Sequence, residues 1–210
     1  MHAFRNLFYR LNNLEPAKNI RAAMEIEKAG TRNVMLSSDI HFFKEPEKDD
    51  MKIRNHNRVV DDSKVWVFLG DIGYKHVNPD PGEMRKKIES LNKGRFSIFL
   101  QGNHDILGVP FYKSCGFDMV LPVFTWREIV FSHVPVKVPK NTGFLINVHG
   151  HLHNWDIERY AQEYPGKFFG DYGRDTLDTL YIKIYTNESV NYSPVSLFDV
   201  LSRYVSSLSL

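Results

Sequence analysis

Five short apolar runs, each ending in side chains that bind metals, constrain this chain more than any other feature. The first three are residues 33–38 (NVMLSS), 64–70 (KVWVFLG) and 95–101 (RFSIFLQ), and all three favour extended structure. They lead into Asp39-Ile40-His41, Gly70-Asp71 and Gly102-Asn103-His104-Asp105; two later runs lead into Ser132-His133 and Gly150-His151-Leu152-His153. Asp39, Asp71 and Asn103 follow one another at intervals of 32 residues, with His133 and His151 coming 30 and 18 residues further on. Ligands of open α/β sheets gather at the carboxyl ends of the strands, so five such ends are expected to converge on one crevice.

The segments between the runs are helical in pattern. Residues 51–60 form one candidate helix. A second begins after Asp80-Pro81-Gly82, with Met84, Ile88 and Leu91 on one face and Gly94 as its stop. Strands alternating with helices at this spacing predict βαβ units. Further on, 118–125 and 128–132 are expected to form a hairpin around Trp126-Arg127, with strands at 144–149 and 180–186; 154–178 reads as a long loop bearing Tyr160, Tyr164, Phe168, Phe169 and Tyr172.

Residues 1–30 differ. Ala3, Phe4, Leu7, Phe8, Leu11 and Leu14 recur at helical spacing, Pro16 interrupts, and a second stretch with Ile20, Ala23 and Met24 runs to Gly30. Both are expected to lay their apolar faces on the domain that follows. The organisation predicted is therefore a helical extension, 1–30, ahead of one domain, 31–210.

Composition narrows the class. With 42% hydrophobic residues in a chain of 210, a substantial core is available. The single Cys115 excludes an internal disulfide and suits a reducing cytoplasm. No apolar run approaches the roughly 18 residues that cross a bilayer. Net charge is only +2, and Arg85-Lys86-Lys87 is the one compact basic triplet, so the electrostatic case for nucleic acid is weak.

The ligand types are informative in themselves. Asp and Asn offer hard oxygen and His offers nitrogen, a mixture suited to Mn, Fe, Zn, Ni, Co or Mg rather than to a thiolate site. In Asp39-x-His41, alternate residues of an extended chain point the same way and can meet one ion. Other polar residues read as structural: His149 is expected to pack or support the neighbouring cluster, and His56 and His76 to lie on the surface.

In order and composition, Asp39/His41, Gly70-Asp71, Gly102-Asn103-His104-Asp105, His133 and Gly150-His151-Leu152-His153 resemble the signature of the calcineurin-like metallophosphoesterases, D-x-H, G-D, G-N-H-[D/E], H and G-H-x-H. The resemblance covers about residues 33–200. It implies an α/β, four-layer αββα sandwich and a site for two divalent metal ions, Mn²⁺ first among them. Asp39, His41 and His153 would hold one ion, Asp71 would bridge, and Asn103, His133 and His151 would complete the second site. By the same resemblance His104 would protonate the leaving oxygen or steady the transition state, with Asp105 orienting its ring. The implied reaction is hydrolysis of a small phosphodiester or phosphomonoester, a nucleotide among the candidates, by in-line attack of a hydroxide shared between the ions. A nuclease or phosphoprotein phosphatase of the same superfamily, and a silent binding scaffold, are the alternatives. Against the phosphoprotein class, Gly70-Asp71 continues as Ile72-Gly73-Tyr74-Lys75 rather than x-x-D-R-G, and Gln101, not Arg, precedes Gly102. Substrate choice is expected to reside in the loops 42–50, 72–82, 106–117 and 154–178.

Overall fold

The computed structural model describes residues 16–136, 146–153, 155, 159, 180–184 and 191–207. In chain order its elements are α1 (Pro16–Ala29), β1 (Val34–Ser37), α2 (Asp49–Val59), β2 (Val65–Phe68), α3 (Pro81–Glu89), β3 (Phe96–Leu100), α4 (Gly108–Ser114), β4 (Met119–Leu121), β5 (Val123–Trp126), β6 (Ile129–Ser132), β7 (Ile146–His149), β8 (Leu180–Lys183), β9 (Val195–Ser196) and α5 (Leu197–Ser207). They build two sheets, ordered β4-β3-β2-β1-β9 and β5-β6-β7-β8. β1 to β4 are parallel and β9 runs antiparallel on β1. In the second sheet β6, β7 and β8 are parallel and β5 is antiparallel.

Strand composition explains this layering. In β2, Val65 and Val67 face a core shared with Phe124, Phe131 and Val148 of the other sheet, whereas Trp66 and Phe68 face Met84 and Ile88 of α3 and Tyr112 of α4. With both faces covered, the parallel strands carry near-continuous apolar sequence instead of alternation. The layered α/β fold expected from the sequence is present. α3 starts where expected: the Asp80 side chain accepts from the amides of Gly82 and Glu83, and Pro81 takes the first helical position.

Two expectations are corrected. Residues 118–125 are not one strand: β4 pairs with β3 in the first sheet, and β5 pairs with β6 in the second. Pro122 lies between them, where a residue without an N–H breaks the ladder and lets the chain change sheets. The hairpin itself stands, closed at Arg127 with φ 50°. The packing face of α1 is also rotated. Ala22 and Ile26 are buried, while Ile20 and Met24 are 58% and 52% exposed. Polar contacts fix this rotation: the Asn19 amide and Thr125 bond reciprocally (3.1 and 2.8 Å), and Glu27 accepts from Trp126 Nε1 (2.9 Å) and Arg127 Nε (2.9 Å).

α4 falls in a stretch expected to be loop, and α5 was not foreseen. The first helical stretch, 3–14, lies outside the described residues, as do the loop aromatics Tyr160 to Tyr172 and the strand ends 144–145 and 185–186. No helix among the described residues is long and apolar enough to cross a membrane, and Cys115 is buried.

Candidate metal centre

The loops that leave β1, β2, β3, β6 and β7 meet at the carboxyl ends of those strands, and the backbone there is under constraint. Asp39, His41, Asp71, His151 and His153 all adopt left-handed φ, between 48° and 70°. Non-glycine residues occupy this region at a cost of about 1–3 kcal/mol each and only where surrounding structure holds them. The loops also approach one another closely. A Cβ at Gly102 would collide with the Asp71 carboxylate, and one at Gly150 would collide with the Ser38 hydroxyl and lie 2.7 Å from Asp39 Oδ2.

All seven residues expected as ligands come together. Asp39 Oδ1 lies 3.7 Å from His41 Nε2 and 3.6 Å from His153 Nε2, and those two nitrogens are 3.1 Å apart. Asp71 stands between the two halves of the cluster, with Oδ2 3.8 Å from His41 Nε2 and 3.1 Å from His133 Nε2. His133 Nε2 in turn lies 3.1 Å from Asn103 Oδ1 and 3.2 Å from His151 Nδ1. Three overlapping sets, Asp39/His41/His153, His41/Asp71/His104 and Asp71/His133/His151, each bring their donor atoms within 4.8 Å of one another.

The surroundings orient these donors inward. His133 Nδ1 bonds the Leu69 carbonyl at 2.6 Å, so Nε2 faces the cluster. Asp39 Oδ2 accepts from the Ser38 hydroxyl and from the His151 amide (3.0 Å), while Asp39 Oδ1, also buried, accepts no hydrogen bond from any described residue. A buried carboxylate oxygen without donors is costly unless a cation faces it. That orphaned oxygen and the crowding of nitrogens around it fit a divalent-metal site.

Electrostatics follow from the crowding. Burial raises the Asp39 carboxyl. Burial also depresses His41 and His151 to about 3, which keeps both imidazoles neutral and able to donate a lone pair. Against the burial of its own ring, His133 is pushed up to about 9 by Asp71. Asp71, despite burial, is held well below the usual carboxylate range by His133 and His41.

His104 sits at the open side of the cluster, Nε2 4.0 Å from Asp71 Oδ2. Asp105 does not orient it. Asp105 Oδ2 accepts from the amides of Asp71 and Gly102 (both 2.7 Å) and Oδ1 from that of Ile72 (3.0 Å). Three N–H groups, two of them from the buried residues Asp71 and Ile72, take the carboxylate, which therefore ties the β2 loop to the β3 loop. Burial and the nearby Asp71 charge push Asp105 up to about 7, opposed by these amide bonds.

Other residues differ from their reading too. His56 is buried, its Nε2 2.8 Å from the Asn92 carbonyl and its ring 4.3 Å from Trp66. His76 is exposed as expected, yet its ring meets His104 edge-on at 5.2 Å. His149 is buried, with Nδ1 2.8 Å from the Gly150 carbonyl beside the G-H-x-H cluster, in keeping with a supporting role. Asp49 and Lys52, which sequence reasoning passed over, form a buried ion pair at 3.1 Å under the first loop. Lys52 Nζ also donates to the His41 carbonyl (3.3 Å), and Asp49 accepts from the Phe43 amide (3.2 Å). The i,i+3 spacing of opposite charges on α2 was the available signal.

A profile of the calcineurin-like phosphoesterases matches residues 32–195, a span that contains every member of the cluster. Among solved structures, a protein of unknown function from Aquifex aeolicus aligns with a TM-score of 0.51 and 19% identity over 83% of this chain and 98% of its own. A nuclease from Pseudomonas putida aligns at 0.40 and 18% identity, over 58% of this chain and 62% of its own. No curated protein matches.

Proposed function

The chain belongs to the calcineurin-like phosphoesterase family, and from that premise we propose that it hydrolyses a small phosphate mono- or diester at a centre holding two divalent cations, Mn²⁺ by preference. The observation that carries the proposal is the meeting of seven nitrogen- and oxygen-bearing side chains in overlapping sets, one of which includes a buried Asp39 oxygen that accepts no hydrogen bond from any described residue. Asp39, His41 and His153 would hold one ion and Asn103, His133 and His151 the other, with Asp71 contributing to both. Bound there, the ions would activate water at neutral pH and offset charge on the phosphoryl group.

The chain's own groups do the rest. Neutral His41 and His151 offer lone pairs without first losing a proton. Lys44 stands over Tyr74 at 5.7 Å and Lys75 Nζ bonds the Asn103 carbonyl, so the mouth of the site is cationic and suits an anionic ester. His104, partly exposed, presents Nε2 toward the centre and would steady the negative charge that develops in the transition state by donating its N–H there. Asp105 holds the two loops that carry Asp71 and Asn103.

A turnover panel tests this: mono- and bis-aryl phosphates and cyclic nucleotides, each with Mn²⁺, Ni²⁺, Zn²⁺ and Mg²⁺. Hydrolysis of at least one class is expected, abolished in Asp71→Asn together with loss of bound metal. Silence across the panel in a metal-loaded chain would sink the reading.

A further inference from the structure

We propose that the segment Tyr74-Lys75, rather than any carboxylate, is the positioning element of His104, and that it fixes the imidazole in the tautomer whose proton lies on Nε2. The inference rests on the phosphoesterase reading only for the use made of that N–H, as a donor to charge developing on the ester.

A neutral imidazole carries one N–H, and its other nitrogen is an acceptor. The Lys75 amide points at His104 Nδ1 over 3.4 Å, so Nδ1 is the acceptor and the hydrogen is left on Nε2. That length suits a catalytic hydrogen bond that tightens when substrate binds. Nε2 is the atom that faces Asp71 Oδ2 across the centre. The ring plane is set as well. Tyr74 stacks on His104 with centroids 5.1 Å apart and planes 13° apart, while His41 and His76 close two other sides edge-on at 4.8 and 5.2 Å. Tyr74 is itself anchored: its amide donates to the Phe42 carbonyl (3.1 Å), and residues 75–77 form a single 3₁₀ turn closed by Asn78. Asp105, the acid next to His104 in sequence, has both oxygens committed to backbone amides and cannot serve.

The amide can be removed almost alone. Lys75 opens the 3₁₀ turn, where proline's fixed φ is tolerated, and Tyr74 before it is extended (φ −112°, ψ 101°), as a residue preceding proline requires. Lys75→Pro therefore deletes the donor, and Lys75→Ala deletes only the side chain. In ¹⁵N-histidine NMR of the Mg²⁺-loaded chain, the parent and Lys75→Ala should show His104 protonated at Nε2, and Lys75→Pro a mixture of tautomers. With Mn²⁺ and the best ester of the panel, kcat should fall about tenfold or more in Lys75→Pro relative to Lys75→Ala, toward the loss seen when one donor to developing charge is removed, while KM and bound metal are the same in the two variants, which both lack the Lys75 side chain.

A second pair guards against a misfolded proline variant: Tyr74→Ala should lower kcat likewise, and Tyr74→Phe, which keeps the stack, should restore it. Identical ring spectra in Lys75→Pro and Lys75→Ala, or equal kcat in Tyr74→Ala and Tyr74→Phe, would overturn the assignment. A parent chain that shows the Nε2 tautomer yet turns over no ester supports the assignment and counts against the phosphoesterase reading alone.

Discussion

At Asp105 a single carboxylate accepts three amides from two loops, and the consequence of losing it can be estimated. Each buried N–H left without a partner costs about 1–3 kcal/mol. Asp105→Ala should therefore lower unfolding free energy by several kcal/mol, read by urea denaturation. Asp105→Asn, which keeps one acceptor oxygen, should fold and bind Mn²⁺ about 10–100-fold more weakly by calorimetric titration, as when a group that orients metal ligands is lost. The residues of the cluster were legible in sequence because their chemical types and their place after apolar runs survive without coordinates. The duty of Asp105 was not. It is decided by which way a buried side chain turns, and that depends on amides brought in from Asp71 and Ile72.

On α2 the buried stripe is Asp49, Lys52 and His56, three polar residues spaced one and two turns apart. Breaking a buried ion pair from one side strands the other charge, at about 3–5 kcal/mol. Lys52→Met should lose stability on that scale and weaken metal binding too, because Lys52 supports the carbonyl of His41. His56 imposes a pH dependence. Burial depresses it from 6.5 to about 4, partly offset by its bond to Asn92. Its folded-state pKa is below the unfolded value, so the unfolded chain takes up the proton first as pH falls. Its contribution is complete above pH 6.5 and is lost between 6.5 and 4, amounting to about 3 kcal/mol at most. His56→Phe, which keeps a ring on Trp66, should flatten the stability profile in that window. Elements with long apolar runs were readable. The α2 stripe was not, because apolar periodicity is blind to a polar face satisfied internally. α4 is short and starts at Gly108 with Pro110 inside it. α5 did leave a sign, since Ser196 Oγ caps the amide of Asp199 (3.0 Å) in an S-x-x-D pattern.

For the molecule as a whole, two sheets hold five loops at one edge, so metal occupancy and global stability are linked. Divalent metal at a hundred times its dissociation constant should add about 2.7 kcal/mol per site, or roughly 5–10 °C in melting temperature for a chain of this size. Calorimetry in Mn²⁺ against EDTA would show no difference if the cluster binds no ion. The switch of sheets at Pro122 could not be read ahead, because the sequence marks a break there and not which partner each half will find.

The left-handed corners at Asp39, His41, Asp71, His151 and His153 set endurance against chemistry. Glycine accepts such a corner freely, so His153→Gly, at a half-exposed position, should melt no lower than the parent in chelator while binding metal poorly. A lineage bred only for heat tolerance would shed its donors there first, and its sturdiest descendants would be its least reactive.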